Sequence, residues 1–422
     1  MEQQKYSGIE WVGMIPQRWK VAPIGAYFYE VLNKNYDGAV KKALKFTYGN
    51  IVEKNNFDAD SDEYVSSTIR KYTVVEPGTI MLNGLNLNFD FVTQRIGLVN
   101  TKGVITSSYV AFKSINEEYY NSKYANYLFK SYDFCKAFHN MGGGVRKILN
   151  FGELRKQYCV IPPINEQKAI VDFLDNKCSE IDSLAADIKK EISILEEYKK
   201  TVITEAVTKG ITHCVEMKNS PCSWIGAVPS HWVISKLKYK LRRNDVKNRG
   251  NCTVLSLYRE YGVIPKDSRD DNHNVTSEDT SKYKFVRVGD FVINKMKAWQ
   301  GSVAVSSYEG IVSPAYYVYN FTDNSYNKKY FHYLIRSCYK DEFRRLSGGI
   351  REGQWDLPST ALDNVTVLCP PIEEQNKIAE YLDKKTSVIE KTISEKQSQL
   401  EILAEYKKSI IYEYVTGKKE VI

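Results

Sequence analysis

Long apolar runs, closely paired cysteines and clustered histidines are all missing from this chain. No apolar stretch approaches the ~18 residues that a membrane span needs. The opening Met1-Glu2-Gln3-Gln4-Lys5 lacks the apolar core of a secretory signal. The eight cysteines form no C-x-x-C pair, which fits free thiols in a reducing compartment. A soluble, cytoplasmic protein without a membrane partner is the expectation. His213, Cys214, Cys222 and His231 lie near one another, but their spacing matches no structural zinc pattern and recurs nowhere else, so no metal is expected. In Asp58-Ala59-Asp60-Ser61-Asp62, Glu63 stands where a calcium loop needs glycine and Ile69 where it needs its bidentate glutamate, which makes an acidic turn.

Enzyme signatures are missing as well. There is no G-x-x-x-x-G-K-[ST] phosphate loop, no G-x-S-x-G elbow and no H-E-x-x-H pair. No glycine-rich cofactor loop accompanies an Asn-Pro-Pro-aromatic or Asp-Pro-Pro-aromatic tetrapeptide. No catalytic residue and no resident cofactor is therefore expected. The formal net charge of +8 is compatible with an anionic polymer as partner without requiring one.

What the chain does contain, it contains twice. Pro162-Pro163-Ile164-Asn165-Glu166-Gln167 returns as Pro370-Pro371-Ile372-Glu373-Glu374-Gln375. Each copy leads into a helical stretch that reaches Glu197-Tyr198-Lys199-Lys200 or Glu405-Tyr406-Lys407-Lys408. Trp11-Val12-Gly13-Met14-Ile15-Pro16-Gln17-Arg18-Trp19 is echoed by Trp224-Ile225-Gly226-Ala227-Val228-Pro229-Ser230-His231-Trp232. A unit of about 210 residues is duplicated.

Between Glu166 and Thr208 there is no proline or glycine, and Leu174, Ile181, Ile188, Leu195 and Val202 recur every seventh residue. Ile170, Leu184, Ile192 and Tyr198 fill nearby positions. This predicts a helix about 65 Å long, packed along another helix. The second copy keeps Leu382, Ile389, Leu403 and Ile410, with Lys396 where Ile188 stood, and Gly210 and Gly417 supply the two stops. The two stripes are expected to pair with each other as an antiparallel coiled coil of pseudo-two-fold symmetry. The alternative is that each helix packs only on its own module.

The remaining segments read as mixed α/β, with strand-like runs at 79–82, 103–105, 290–293 and 310–312. Helical patterns follow near 124–138 and 329–346. The expected layout is a first module over 1–161, a helical spacer over 162–210, a second module over 211–369 and a second spacer over 370–422. The modules match only in skeleton: Gly78 and Asn83 align with Gly289 and Asn294, and Gly143-Gly144-Val145-Arg146 aligns with Gly348-Gly349-Ile350-Arg351.

This arrangement resembles the specificity subunit of Type I restriction-modification systems over essentially the whole chain. The resemblance rests on the Trp-x-Gly-x-x-Pro-x-x-Trp opening, the Pro-Pro-x-x-Glu-Gln helix start, and variable modules alternating with repeated helices. It implies two target recognition domains, each binding one half of a bipartite, asymmetric site on double-stranded DNA. It also implies that the helices set the spacer and dock two modification subunits, with restriction subunits completing the complex. S-adenosylmethionine, ATP and Mg²⁺ would then belong to those partner subunits. Two alternatives remain: a coiled-coil protein scaffold indifferent to DNA sequence, and an enzyme with an unfamiliar site.

Base reading calls on Arg or Lys for guanine and on Asn or Gln for adenine. In the first module the candidates are Asn83, Asn86, Gln94, Arg95, Arg146 and Lys147. In the second they are Asn294, Lys295, Lys297, Gln300, Arg351 and Gln354, with Trp299 beside them to stack or wedge. The paired Gly-Gly-x-Arg loops are candidate phosphate grips through their exposed amides.

Overall fold

A computed structural model describes residues 3–55, 63–92, 94–143, 147–212, 214–222, 224–247, 250, 252–269, 276, 279–349 and 355–421. The chain forms two compact units, Met1–Ile188 with Ser398–Ile422, and Lys189–Gln397. Each unit holds the start of one long helix and the end of the other. The expected boundaries at 161/162 and 369/370 separate helix from module, whereas the compact units cut through both helices. The reason is packing: Ile170, Leu174 and Ile181 lie in the same core as the first module's Phe28 and Phe129. Among the described residues no helix is long and apolar enough to cross a membrane.

In the first unit, β1 (Phe28–Glu30), β2 (Ile80–Leu82), β3 (Ile96–Leu98) and β4 (Val110–Ser114) form an antiparallel sheet in the order β1-β4-β2-β3. In the second unit, β5 (Leu241–Arg243), β6 (Phe291–Asn294), β7 (Val303–Val305) and β8 (Tyr316–Phe321) repeat that order as β5-β8-β6-β7. Helix α1 (Ser122–Phe134) follows the first sheet, capped by Asn121 Oδ1, which accepts from Tyr124 N. The second sheet is followed by the counterpart helix Lys328–Cys338, capped by Asn327. Asparagine suits this position because its side chain satisfies an amide that the first helical turn leaves unpaired.

The abundance of tyrosine has a structural use. Tyr120 and Tyr326, both buried, each donate a hydroxyl hydrogen bond at 2.8 Å to a strand carbonyl, Val160 O in one unit and Leu368 O in the other. Tyr124 donates to Val415 O and Tyr330 to Val207 O, tying each module to the end of a long helix. Such rings add apolar burial while their hydroxyls stay paired.

The long helices are α2 (Ile164–Lys209) and α4 (Ile372–Val415), with α3 assigned to Lys328–Cys338. Within the first unit, Phe173 stacks near Tyr414 with centroids 4.3 Å apart, and Lys407 Nζ reaches Asp182 Oδ1 at 2.6 Å. Within the second, Lys396 pairs with Glu191 and Lys199 with Glu390. In both units the partner numbers run in opposite directions, so the helix segments pair antiparallel. Leu174, Ile181, Ile188, Leu382, Ile389 and Ile410 are buried, while Leu195, Val202 and Leu403 are partly covered. Leu184 and Tyr198 stay about half exposed. Lys396 sits in the seam with its ammonium on Glu191 of the facing helix, which gives the interruption of the stripe a charged partner.

Candidate nucleic-acid interface

Where β2 ends, the chain turns out of the sheet. Asn83 Oδ1 accepts from Leu85 N at 3.3 Å, an Asx turn that opens the loop after β2. In the second unit Asn294 Oδ1 accepts from Met296 N at 3.1 Å, the same turn at the end of β6. Both asparagines thus act first as turn formers, and Asn294 is buried. Each loop is then stitched to the segment preceding the long helix by one backbone bond: Leu149 N to Gly84 O at 2.9 Å, and Leu357 N to Lys295 O at 3.0 Å. Both Gly-Gly segments are closed at the base by an antiparallel bridge, Gly143 with Ile148 and Gly348 with Asp356. Arg146, Arg351 and Gln354 lie outside the described residues.

Arg95 is placed differently from the expectation. Its side chain is fully buried, and Nη1 donates to Asn83 O at 2.9 Å and to Leu85 O at 2.8 Å. Nη2 donates to Asp90 O at 2.6 Å, and Arg95 N donates to Asp133 Oδ2 at 2.7 Å. Burial lowers the Arg95 pKa and raises that of Asp133, with the attraction between the two opposing both shifts. The guanidinium therefore holds the loop from beneath and offers nothing to a ligand at the surface.

The exposed candidates of the first unit are Asn86, Gln94 and Lys147. Asn86 and Lys147 adopt left-handed backbone, with φ of 52° and 39°. Lys147 O accepts from Leu87 N at 3.2 Å, so the two loops share one edge. Gln94 packs over Gly49, at the turn of the Leu44–Thr47/Asn50–Glu53 hairpin.

In the second unit Lys297 is exposed, and Trp299 packs against Trp355 with ring centroids 5.5 Å apart. Trp299 Nε1 donates to Met296 O at 3.1 Å. Lys295 Nζ pairs with Asp356 Oδ2 at 2.9 Å, and that hydrogen bond raises the lysine's pKa. Gln300 Oε1 accepts from Arg259 Nη2 at 3.2 Å. Beside them Tyr258, Arg259, Tyr261, Arg269 and Lys297 line a cavity of about 290 Å³, with the Arg269 guanidinium 4.5 Å from the Tyr261 ring centre. Arg259, Tyr261 and Arg269 were not candidates from the sequence. Arg259 and Tyr261 sit on the turn of the Leu255–Tyr258/Gly262–Pro265 hairpin, a tight cation-and-aromatic turn that was the available signal. Cations interleaved with aromatic faces suit phosphates and bases together.

The model of the Type I restriction modification DNA specificity domain matches residues 25–193 and 240–401. The chain belongs to that family. The MjaVIII specificity subunit of a Type I restriction enzyme from Methanocaldococcus jannaschii is 25% identical, over 96% of this chain and 94% of that protein. The EcoKI specificity subunit of Escherichia coli is 25% identical over 36% of this chain and 30% of its own length. Among solved structures, a chain from a study of assembly and conformational transition in the type I R-M system superposes with a TM-score of 0.71 at 14% identity. That match covers 96% of this chain and 99% of the other. The HsdS subunit from Thermoanaerobacter tengcongensis gives a TM-score of 0.53 at 14% identity, covering 96% and 98%. These two likenesses bear on the fold.

Proposed function

We propose that this chain is the DNA-sequence specificity subunit of a Type I restriction-modification complex. Each unit binds one half of a bipartite, asymmetric site on double-stranded DNA, through the loops that leave β2 and β6 and the turns beside them. The observation that carries this reading is a repeated scaffold with divergent loop tips. Sheet order, Asx turn and loop stitch recur, while the residues presented differ: Asn86, Gln94 and Lys147 in one unit, Lys297, Trp299, Gln300 and Arg259 in the other. A scaffold that only joined proteins would need no such divergence on a constant frame.

The long helices set the spacer between half-sites and dock two modification subunits, and restriction subunits complete the nuclease. Tethering two weak readers makes the second contact nearly intramolecular and rejects half-sites at the wrong distance. The chain itself performs no chemical step. S-adenosylmethionine, ATP and Mg²⁺ serve the partner subunits.

The test is adenine-methylation mapping by long-read sequencing in cells that express this chain with its modification subunit. One bipartite motif that vanishes when the chain is deleted is the expected result. A stable complex that leaves no new motif overturns the proposal.

A further inference from the structure

Over residues 83–92 the loop after β2 presents apolar side chains to solvent on a hydrogen-bonded frame. Phe89 is 77% exposed, Phe91 54% and Val92 91%. Such exposure on three large side chains of one loop calls for a partner. The loop is nevertheless tied down. Phe89 N and Asp90 N both donate to Asn86 O, and Val92 N donates to Asp90 Oδ1 at 3.0 Å. His139 Nε2 donates to Asp90 O at 3.0 Å, and the Phe91 ring stacks on the His139 ring at 4.7 Å. Three carbonyls of the loop rest on the buried Arg95 guanidinium. Gly84 lets the loop approach this closely, since a Cβ there would lie 2.2 Å from Leu149 O.

Among the described residues of this loop and of the segment stitched to it, the amides of Asn86 and Gln94 and the ammonium of Lys147 are exposed, while the partly exposed Asp90 carboxylate lies 3.8 Å from Arg95 Nη2. In the major groove an A·T pair offers the adenine N6/N7 pair, which an amide bonds, and the thymine C5-methyl, which an apolar side chain covers. Amide plus apolar tip is the complement of that pair, and the neighbouring lysine matches a phosphate. The equivalent loop of the second unit carries two lysines, Lys295 and Lys297, with Gln300 and Trp299, whereas the first loop's own cation, Arg95, is buried.

We infer that the first unit reads A·T pairs through this loop, with Phe89, Phe91 and Val92 covering thymine methyl groups in the major groove. Arg95 serves as the positioning residue beneath. The inference rests on the DNA-specificity reading above and names what one unit of it recognises.

The experiment uses the full chain assembled with its modification subunits and duplexes carrying the mapped site. Thymines of the first unit's half-site are replaced one at a time by deoxyuridine, which lacks only the methyl group. The wild-type complex should lose about fourfold in affinity per covered methyl. The triple variant Phe89→Ser, Phe91→Ser, Val92→Ser, altered only at exposed positions, should bind both duplexes alike and keep the wild-type dependence on salt. Arg95→Met should lose the thymine preference in the same way while assembling normally. Equal wild-type affinity for thymine and deoxyuridine duplexes overturns the inference and leaves the specificity-subunit reading standing. So does a triple variant that keeps the preference, or one that fails to assemble with the modification subunits, which would make the tip a protein contact. Wild-type complex that shows no sequence preference at all overturns the underlying reading, and the inference with it.

Discussion

Trp232 Nε1 donates to Glu374 Oε2 across 3.1 Å, joining residues 142 positions apart in the chain. Trp19 and Glu166 make the same bond at 2.9 Å in the other unit. The two repeated sequence signatures are thus two halves of one contact: the last tryptophan of the opening motif, buried, meets the glutamate of the Pro-Pro-x-x-Glu-Gln helix start. The glutamate's second partner differs, Arg18 in the first unit and His231 Nε2, at 2.9 Å, in the second.

Glu374→Ala should cost about 1–3 kcal/mol, because it strands the indole N–H of a buried tryptophan. Glu374→Gln keeps an acceptor and should cost less. Urea unfolding followed by tryptophan fluorescence compares the two, and equal losses would remove the hydrogen bond from the explanation.

Gln167 is fully buried, and its Nε2 donates to Tyr119 O at 3.1 Å and Pro162 O at 2.9 Å while Oε1 accepts from Asn121 N at 2.8 Å. Gln167→Glu replaces two donated bonds by an anion facing two carbonyls. A loss of about 3 kcal/mol or more is expected. Gln375 makes the equivalent set with Ser325 O, Pro370 O and Asn327 N, and its variant should behave alike. Thermal unfolding of either variant at wild-type temperature would contradict this.

Lys396 and Leu382 lie on the same helix with opposite expected effects. Leu382→Ala empties a fully buried position and should cost about 2–5 kcal/mol. Lys396→Leu gives up a partly exposed ion pair, worth about 0–1 kcal/mol, and extends the apolar seam. Denaturant midpoints should move down for the first and stay level or rise for the second.

Stability of the second unit should fall in mild acid. His332 Nδ1 accepts from Val305 N at 3.2 Å, and burial pushes the imidazole pKa down to about 4, with the nearby Arg336 cation adding to the shift. A depressed pKa keeps the ring neutral when folded. Its contribution is complete above the unfolded value of about 6.5 and is lost as pH falls toward about 4, at most about 3 kcal/mol. Urea midpoints measured between pH 7.5 and 4.5 should drop more for wild type than for His332→Gln, whose amide oxygen still accepts from Val305 N. Parallel curves would place the acid sensitivity elsewhere.

Replacing residues 20–161 by the corresponding module of another family member should change one half-site of the methylated motif and leave the other untouched. Methylation mapping of the chimera reads this directly, and alteration of both half-sites would refute independent reading by two units.

Duplication and both long helices are legible in the sequence, because they rest on local and periodic facts. Heptad spacing at Leu174, Ile181 and Ile188 specifies a buried stripe without reference to any other part of the chain. Double prolines and terminal glycines bound it by backbone sterics alone. What tertiary structure decided is which polar residues face outward. Arg95 reads as a base contact by residue type, and only the fold reveals three loop carbonyls converging on its guanidinium beneath the surface. Asn83 and Asn294 likewise carry amide side chains suited to adenine, yet the end of a strand turns each onto the backbone two residues ahead. Arg259 and Tyr261 gain significance only because a hairpin turn brings them against Gln300 and Lys297, some forty residues on. Periodicity is encoded in neighbouring residues, whereas the partner of a single polar group depends on segments far away in the chain.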